Sequence, residues 1–598
     1  MTDTLSFRDK PGYFASCSVP SRITVAPAFS SEPGISRTRF NFHFLTPDAA
    51  AARHLEIGFS FPAVNIVGVW TPSIGMVRDL KSDWFDGFDC MMSVSAPVVC
   101  LYSNSGQNCH TIALSETRQR LSFAYGIREE NGRMVIRISL DLPVDVCRED
   151  YSLEIWESMA AKPYYQVLDD VRLYWESVPG YAILPVPAAA RKPLYSFWYS
   201  YHQGVDAENV EAECRQAADM GFETVIVDDG WQTNDNHRGY AYCGDWEPTP
   251  EKFPDFPAHI RRVQDMGLKY MIWFSVPFVG VHAKCYEQFK DRFLYFLDWT
   301  EAGVLDLRYP EVRQYLIDTY VKAVRDWGVD GLKLDFINEF YMRHDAAPYN
   351  SAMDYTDIQD ALGRLLSDTI AAVKVYKPEI LIEFRQTYIG PEIRRYGNML
   401  RVSDCPGAVL ANRVGVIDLR LLSGQTAVHS DMLMWHPEET VENAALQVLS
   451  CIFSTIQISV RLKETRPEIR QMLDFWLNFM KKHEVLLQET PLEPAQPQNL
   501  YPLVHAANAG QGEELLIAYS ENHLLQLAER MEHFYYINAG GAGELLLCGD
   551  SDSESRDRAY IIRDCMGEVL SEGILRRGTC QSVWMPEAGL IEVSLSDN

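Results

Sequence analysis

The sequence predicts a multidomain α/β protein: an N-terminal β-sandwich, a central (β/α)8 TIM barrel and a small C-terminal antiparallel β-domain. Three observations carry this. A chain of 598 residues is too long for one ordinary core, so several domains are expected. Eight short apolar runs between residues 194 and 462 alternate with helical patterns. On either side of that block the chain reads as strand after strand, broken by turn residues.

The first segment, residues 1–185, is read as the sandwich. In MVIRISLDL (134–142), Ile136, Ile138, Leu140 and Leu142 alternate with Arg137, Ser139 and Asp141, the period of a half-buried strand. Breaks such as NSGQN (104–108) and ENG (130–132) separate similar runs. Many short strands with turns between them predict a sandwich.

A Pro/Ala-rich linker, AILPVPAAARKP (182–193), precedes the barrel, which is placed at 190–488. The runs are LYSFWYSY (194–201), TVIVDDGW (224–231), KYMIWFSV (269–276), GLKLDF (331–336), ILIEFR (380–385), MLRVSD (399–404), QTAVHSDMLMW (425–435) and QISVRL (457–462). Continuously apolar strands imply a parallel sheet covered on both faces. Helices fit between them. Val210, Cys214 and Ala217 share one face of 207–221, and Gly221 stands at its end. In 310–328, Pro310 suits a first helical turn and Gly328 a last one. An open doubly wound sheet is the alternative, weakened because no G-x-G-x-x-G follows the first strand. A second break, QETPLEPAQPQNLYP (488–502), precedes the C-terminal β-domain at 500–598, whose strands are expected at 514–520, 533–539, 544–550 and 559–564.

Composition excludes several classes. The formal net charge is −28 with no Lys/Arg-rich run, so nucleic acid and anionic membranes are poor partners. No uninterrupted apolar run approaches the roughly 18 residues of a membrane span. The opening MTDTLSFRDKPGYF lacks the charged-then-apolar order of a secretory signal. The 13 cysteines are scattered and contain no C-x-x-C pair, which argues for reduced thiols in a cytoplasm over a disulfide frame or a structural zinc site.

Acidic residues then fall where a barrel keeps its chemistry, at the C-terminal ends of strands. The second run ends in Asp228 and Asp229, the fourth in Asp335 and the sixth in Asp404; Asp431 lies within the seventh. One strand-end Asp is commonly a helix N-cap, but four strands bringing acids to one rim point to chemistry. Two carboxylates across a pocket are what glycoside hydrolysis uses. Asp335 is the candidate nucleophile, because Lys333 lies two residues earlier on the same strand face and favours the ionised form. Asp404 is the candidate acid. Its near basic neighbour, Arg401, is an odd number of residues away and is expected on the opposite face, which leaves Asp404 able to stay protonated. Trp231 and Trp273 are placed to stack on a sugar ring or to fill the core. No H-x-H or H-E-x-x-H occurs, and neither metal nor cofactor is expected.

The segments IVDDGWQ (226–232), GDWEPTPEKFPD (244–255), LDLRYPEVRQYL (305–316), GLKLDF (331–336) and VSDCPGA (402–408) together resemble the catalytic domain of glycoside hydrolase family 36. That resemblance implies a retaining exo-α-glycosidase, above all an α-galactosidase. It implies Asp335 as nucleophile and Asp404 as acid/base. It places Asp228 and Asp229 on the O4 and O6 hydroxyls of the terminal sugar, Lys333 on ring hydroxyls, and Trp198 at the end of the first strand. The implied partner is an oligosaccharide or α-glycoside substrate, and a homo-oligomer is possible.

Three segments depart from the family pattern. IEFRQTYIG (382–390) stands in place of C-S-G-G-G, WFSVP (273–277) lacks the glutamate of W-x-E-P, and SDCPGA (403–408) replaces S-D-N-T-D. Arg385 and Gln386 then point near the pocket. Arg385 either holds an anionic or highly polar sugar or pairs with Glu383 or Asp404. The stretch DGLKLDFINE (330–339) also resembles the nucleophile segment of glycoside hydrolase family 31, which acts on α-glucosides and α-xylosides. An α-N-acetylgalactosaminidase, a transglycosidase that passes the same intermediate to a sugar hydroxyl, a non-catalytic sugar-binding protein and a metal-dependent hydrolase remain as alternatives.

Overall fold

The structure is a computed structural model that describes residues 5–6, 12–28, 33–45, 53–72, 75–85, 87–142, 149–385, 389–527, 532–549 and 557–595. Gln386 lies outside the described residues.

The N-terminal strands form two six-stranded sheets whose pairings are all antiparallel. Strand Arg133–Leu142 shows the mechanism: Met134, Ile136, Ile138, Leu140 and Leu142 are buried while Asp141 faces solvent. Its apolar face joins Phe40, Phe42, Ile57 and Phe59 in one core.

The segment does not stay β to its end. Residues Tyr164–Glu176 form a helix whose Tyr164, Val167, Leu168, Val171, Tyr174 and Trp175 are buried, the spacing of a single helical face. It packs on helix Val409–Ser423 of the barrel, so it serves as the seam between the two parts.

The eight expected runs all supply barrel strands. They are β1 (Leu194–Ser196), β2 (Thr224–Val227), β3 (Lys269–Ser275), β4 (Gly331–Asp335), β5 (Leu381–Phe384), β6 (Met399–Arg401), β7 (Ala427–His429) and β8 (Gln457–Ile458). They pair in parallel, in the order β7-β6-β5-β4-β3-β2-β1-β8. Parallel bridges His429–Thr455 and Leu433–Ile458 bring β7 back towards β8 and nearly close the ring.

Helix Pro310–Lys322 begins at its proline, continues through a wider turn at Ala323–Trp327 and stops at Gly328, whose φ of 82° is left-handed. A three-stranded antiparallel sheet, Phe278–Gly280, Phe293–Leu297 and Ala302–Leu305, is inserted between β3 and that helix. After β5 the described chain makes only a 3-10 turn, Ile393–Arg395, before β6.

The C-terminal segment folds into a seven-stranded and a three-stranded sheet. The expected antiparallel pairing holds for most of it. Glu513–Ala518 with His533–Asn538, and Leu524–Gln526 with Gly543–Cys548, run parallel. Cys548 is disulfide-bonded to Cys580, its directly opposed partner on the neighbouring strand, so the expectation of reduced thiols throughout is corrected here. That pair also weakens the cysteine argument for a cytoplasm. Among the described residues, no helix is long and apolar enough to cross a membrane.

The three parts meet at a buried polar knot. Asp418 on helix Val409–Ser423 accepts from Arg78 Nη2 at 2.7 Å, from Trp70 Nε1 at 3.0 Å and from Tyr501 Oη at 2.5 Å. Its carboxylate is fully buried, so each donor satisfies charge that water cannot reach.

Candidate active site

The strands deliver their last residues to the C-terminal mouth of the barrel. There Asp228, Asp229, Lys333 and Asp335 meet Arg385 and Asp404 around one small cavity. Trp198 and Trp273 form part of its wall. Side-chain exposure grades outward: Asp335 keeps 5% of its surface and Asp404 keeps 38%. One carboxylate therefore lies at the floor and the other at the opening.

Asp335 ends β4 and is held by three donors. Trp273 Nε1 reaches Oδ2 at 2.8 Å, the Phe336 amide reaches Oδ1 at 2.7 Å, and Arg385 Nε reaches Oδ1 at 2.5 Å. Phe336 adopts φ 62°, a left-handed conformation that strains a side-chain-bearing residue. That bend turns its amide back on Asp335 and lays its ring under Arg385, whose guanidinium carbon lies 4.7 Å from the ring centre.

Lys333 is not the cation beside Asp335. Its ammonium crosses the barrel to Asp228 Oδ2 at 2.5 Å. Inward-facing side chains of alternate strands share a layer in such barrels, so a β4 lysine meets the end of β2 more readily than a residue two places along its own strand. Asp228 Oδ1 also caps the Asp229 amide at 2.9 Å. Asp229 accepts from Gln203 Nε2 at 2.8 Å and Gln232 Nε2 at 2.6 Å. Burial pushes its carboxyl up to about 6, against the pull of these two amides and with the help of the Asp228 charge.

The expected separation of Asp404 from Arg401 is overturned. Arg401 does not point away: its Nη2 donates to Asp404 Oδ1 at 2.8 Å, and Arg385 Nη1 donates to Oδ2 at 3.2 Å. Strand parity fails because β6 ends at Arg401, and the three residues to Asp404 lie outside it. Partial burial raises the Asp404 pKa, but Arg401, then Arg385, then Lys333 outweigh it and hold the carboxyl well below the usual range. Of the two partners expected for Arg385, Asp404 is the one used; Glu383 sits deeper, where Gln457 Nε2 donates to it at 2.6 Å and Arg401 Nε lies 3.7 Å away.

Two candidate residues are not at the cavity, and for Trp231 the core alternative is the one realised. Trp231 is fully buried, stacked on Phe256 at 5.8 Å, and donates Nε1 to the Trp273 carbonyl at 3.0 Å, so it anchors β3 from the core. Asp431 is likewise fully buried. It pairs with Arg401 Nη1, accepts from the Cys405 amide at 2.6 Å and from Tyr199 Oη at 3.0 Å, and so fixes the Asp404 loop from behind.

Two lining residues were missed, Arg401 and Tyr240. Tyr240 stacks near Trp273 at 6.3 Å and stands edge-on to Phe336 at 5.0 Å. It comes from the long loop after β2, where no pattern in the sequence distinguishes it from its neighbours. Among the described residues, no group of three or more His, Cys, Asp and Glu side chains is placed to hold a metal ion.

This geometry is a carboxylate-lined mouth on a (β/α)8 barrel flanked by β-domains. The melibiase family model matches residues 188–376. That stretch contains Trp198, Asp228, Asp229, Lys333 and Asp335 but stops short of Arg385 and Asp404. Alpha-galactosidase C of Emericella nidulans is 25% identical over 165 residues, 24% of this chain and 22% of that protein. Alpha-galactosidase 2 of Pediococcus pentosaceus is 28% identical over 144 residues, 23% of this chain and 20% of that one. The A type blood alpha-D-galactosamine galactosaminidase of Flavonifractor plautii is 25% identical over 228 residues, 34% of this chain and 20% of that one. The matched stretch thus spans about a fifth of the length of each relative.

Among solved structures, the alpha-galactosidase from Lactobacillus brevis superposes with a TM-score of 0.63 at 12% identity, over 100% of this chain and 83% of that one. The GH36 alpha-galactosidase AgaA from Geobacillus stearothermophilus, solved with raffinose, gives 0.61 at 12% identity, over 98% and 83%. At these identities the likeness is one of fold. Residues 188–376 are thus similar to the melibiase family, and the fold is similar to that of a glycoside hydrolase family 36 α-galactosidase.

Proposed function

We propose that the protein is a glycoside hydrolase, an exo-acting α-galactosidase that retains anomeric configuration through a covalent intermediate. The observation that carries this is the single Arg385 guanidinium touching both Asp335 and Asp404. Two carboxylates bridged by one planar group face one small cavity together, which supports their acting as a catalytic pair on one glycosidic bond.

A terminal α-galactosyl unit docks with its ring hydroxyls on Asp228, Asp229 and Lys333. Asp335, deep and fixed by Trp273 Nε1 and the Phe336 amide, attacks C1 as the bond to the glycosidic oxygen breaks. Asp404, at the opening, gives that oxygen its proton, and the leaving group departs outward. Asp404 then takes a proton from water, the water oxygen attacks C1, and Asp335 is released with the α-sugar. Trp273 and Phe336 keep Asp335 aimed, which is the positioning that nucleophilic catalysis requires. An oligosaccharide substrate is supported by the relative AgaA, which was solved with raffinose and with stachyose.

The test is a panel of aryl α-glycosides: galactoside, N-acetylgalactosaminide, glucoside, xyloside and a uronide. The galactoside is expected to turn over fastest, with α-galactose as the first product by NMR. Asp335→Asn is expected to lower turnover by several orders of magnitude while the fold is kept. A first-formed β-sugar, or full activity in Asp335→Asn, contradicts the mechanism. Preference for the N-acetylgalactosaminide contradicts the galactose assignment.

A further inference from the structure

Arg385 stands where a substrate ring has to go. It bridges Asp335 and Asp404, stacks on Phe336 and keeps only 12% of its side chain exposed. With the guanidinium there, the cavity measures about 20 Å³, space for about one water molecule. A pyranose displaces several waters, more than this space holds. The surrounding walls cannot give way by that amount: Asp228, Asp229, Lys333 and Asp335 are each under 6% exposed and tied to one another or to the barrel. Arg385 is the long, unbranched side chain at the edge, and its neighbour across the gap, Asp404, is the most open group of the set.

We propose that Arg385 is a displaceable plug: a sugar enters by driving its guanidinium off Asp335 and Asp404, and the sugar's anomeric centre takes its place between those two carboxylates. This rests on the glycosidase reading above and adds a requirement on the ligand. Once Arg385 swings out, four carboxylates face Lys333 and Arg401 alone. The site then selects a neutral or cationic polyol, and an anionic sugar is disfavoured.

The displacement also readies the acid. The charged and titratable groups facing Asp404 are Arg401 from β6, Arg385 beyond β5, Lys333 from β4, Asp431 beyond β7, Tyr199 beyond β1 and the adjacent Cys405. Removing Arg385 removes one of three cations and leaves the Asp431 charge in place, so Asp404 holds a proton more readily in the complex than in the free protein. An acid that must be protonated to act loses activity as pH rises through its pKa. The basic limb of kcat therefore lies at higher pH than the basic limb of kcat/KM, because the first reports the complex and the second the free enzyme. A merely structural arginine leaves the two limbs together.

The experiment measures both limbs on p-nitrophenyl α-galactoside for the wild type, Arg385→Ala and Arg385→Lys, and titrates galactose into each by calorimetry. The wild type is expected to separate the limbs by about one pH unit or more, and Arg385→Ala to bring them together by raising the kcat/KM limb. Galactose is expected to bind Arg385→Ala about tenfold tighter, with Arg385→Lys in between because an ammonium cannot fork to both carboxylates. Coincident limbs in the wild type, or no gain in affinity on removing the guanidinium, overturns the plug. If Arg385→Ala does not fold, the wild-type limbs and Arg385→Lys decide. If no α-galactoside is cleaved, the substrate reading fails by itself. The plug is then read from titrations of galactose, N-acetylgalactosamine, glucose and xylose, and equal affinities for all four in wild type and Arg385→Ala refute it.

Discussion

Two carboxyls in one cavity are pushed in opposite directions. Burial lifts Asp229 to about 6, while the arginines around Asp404 outweigh its own desolvation and hold it low. The Asp229 shift is also a stability statement. A carboxyl whose folded pKa lies above its unfolded value of 3.8 binds the proton more tightly in the native state. Its contribution is most favourable below that value and declines as pH rises to about 6. Asn at this position does not titrate. Asp229→Asn is therefore expected to gain on the wild type by about 2 kcal/mol between pH 4 and pH 7, read from urea unfolding at each pH. A constant difference across that range refutes the shift. At this scale the sequence was legible for which acids reach the mouth and illegible for what holds them. Lys333 reaches Asp228 across the barrel, and Arg401 meets Asp404 beyond the end of its strand. Strand parity speaks only to residues inside a strand, and pairings between strands depend on barrel layers that spacing does not encode.

The elements were more legible than their ends. Barrel strands are buried on both faces, so each reads as an unbroken apolar run, and all eight runs became strands. The runs overshoot because aromatic residues continue past the strands into the mouth. LYSFWYSY is a strand only as far as Ser196, and Trp198–Tyr201 is a helical turn that brings Trp198 to the cavity. Helix Tyr164–Glu176 was hidden by its surroundings, although its apolar spacing was plain. The turn after β2 shows how an element end fixes a site. Gly230 has φ 113°, and a Cβ there would lie 2.4 Å from Gln203 Cα. That close approach sets the Gln203 side chain on Asp229. Gly230→Ala is expected to cost about 2 kcal/mol or more and to lower kcat/KM, because neither of the two turns can retreat without losing the Gln203 bond. Thermal unfolding and kinetics check it, and a neutral substitution contradicts it.

Across the whole molecule, the three segments are tied by Asp418 on its barrel helix and its donors, Arg78 and Trp70 from the N-terminal segment and Tyr501 from the C-terminal one. Removing the carboxylate leaves a buried guanidinium unpaired. Asp418→Ala is expected to destabilise the protein by about 3–5 kcal/mol and to split thermal unfolding into separate transitions. A single unfolding transition at the wild-type temperature contradicts that role. The overall order of sandwich, barrel and β-domain was legible from texture alone, whereas this knot joins residues 83 to 431 positions apart and leaves no local signature. The site at the barrel mouth is what this framework holds in place, and its central claim is that Asp335 forms the covalent bond to sugar. Incubation with 5-fluoro-α-D-galactosyl fluoride, followed by peptide mass spectrometry, tests it most directly. A galactosyl adduct on Asp335 is the expected result; an adduct on Asp228, Asp229 or Asp404, or turnover with no adduct and a β-configured first product, contradicts it.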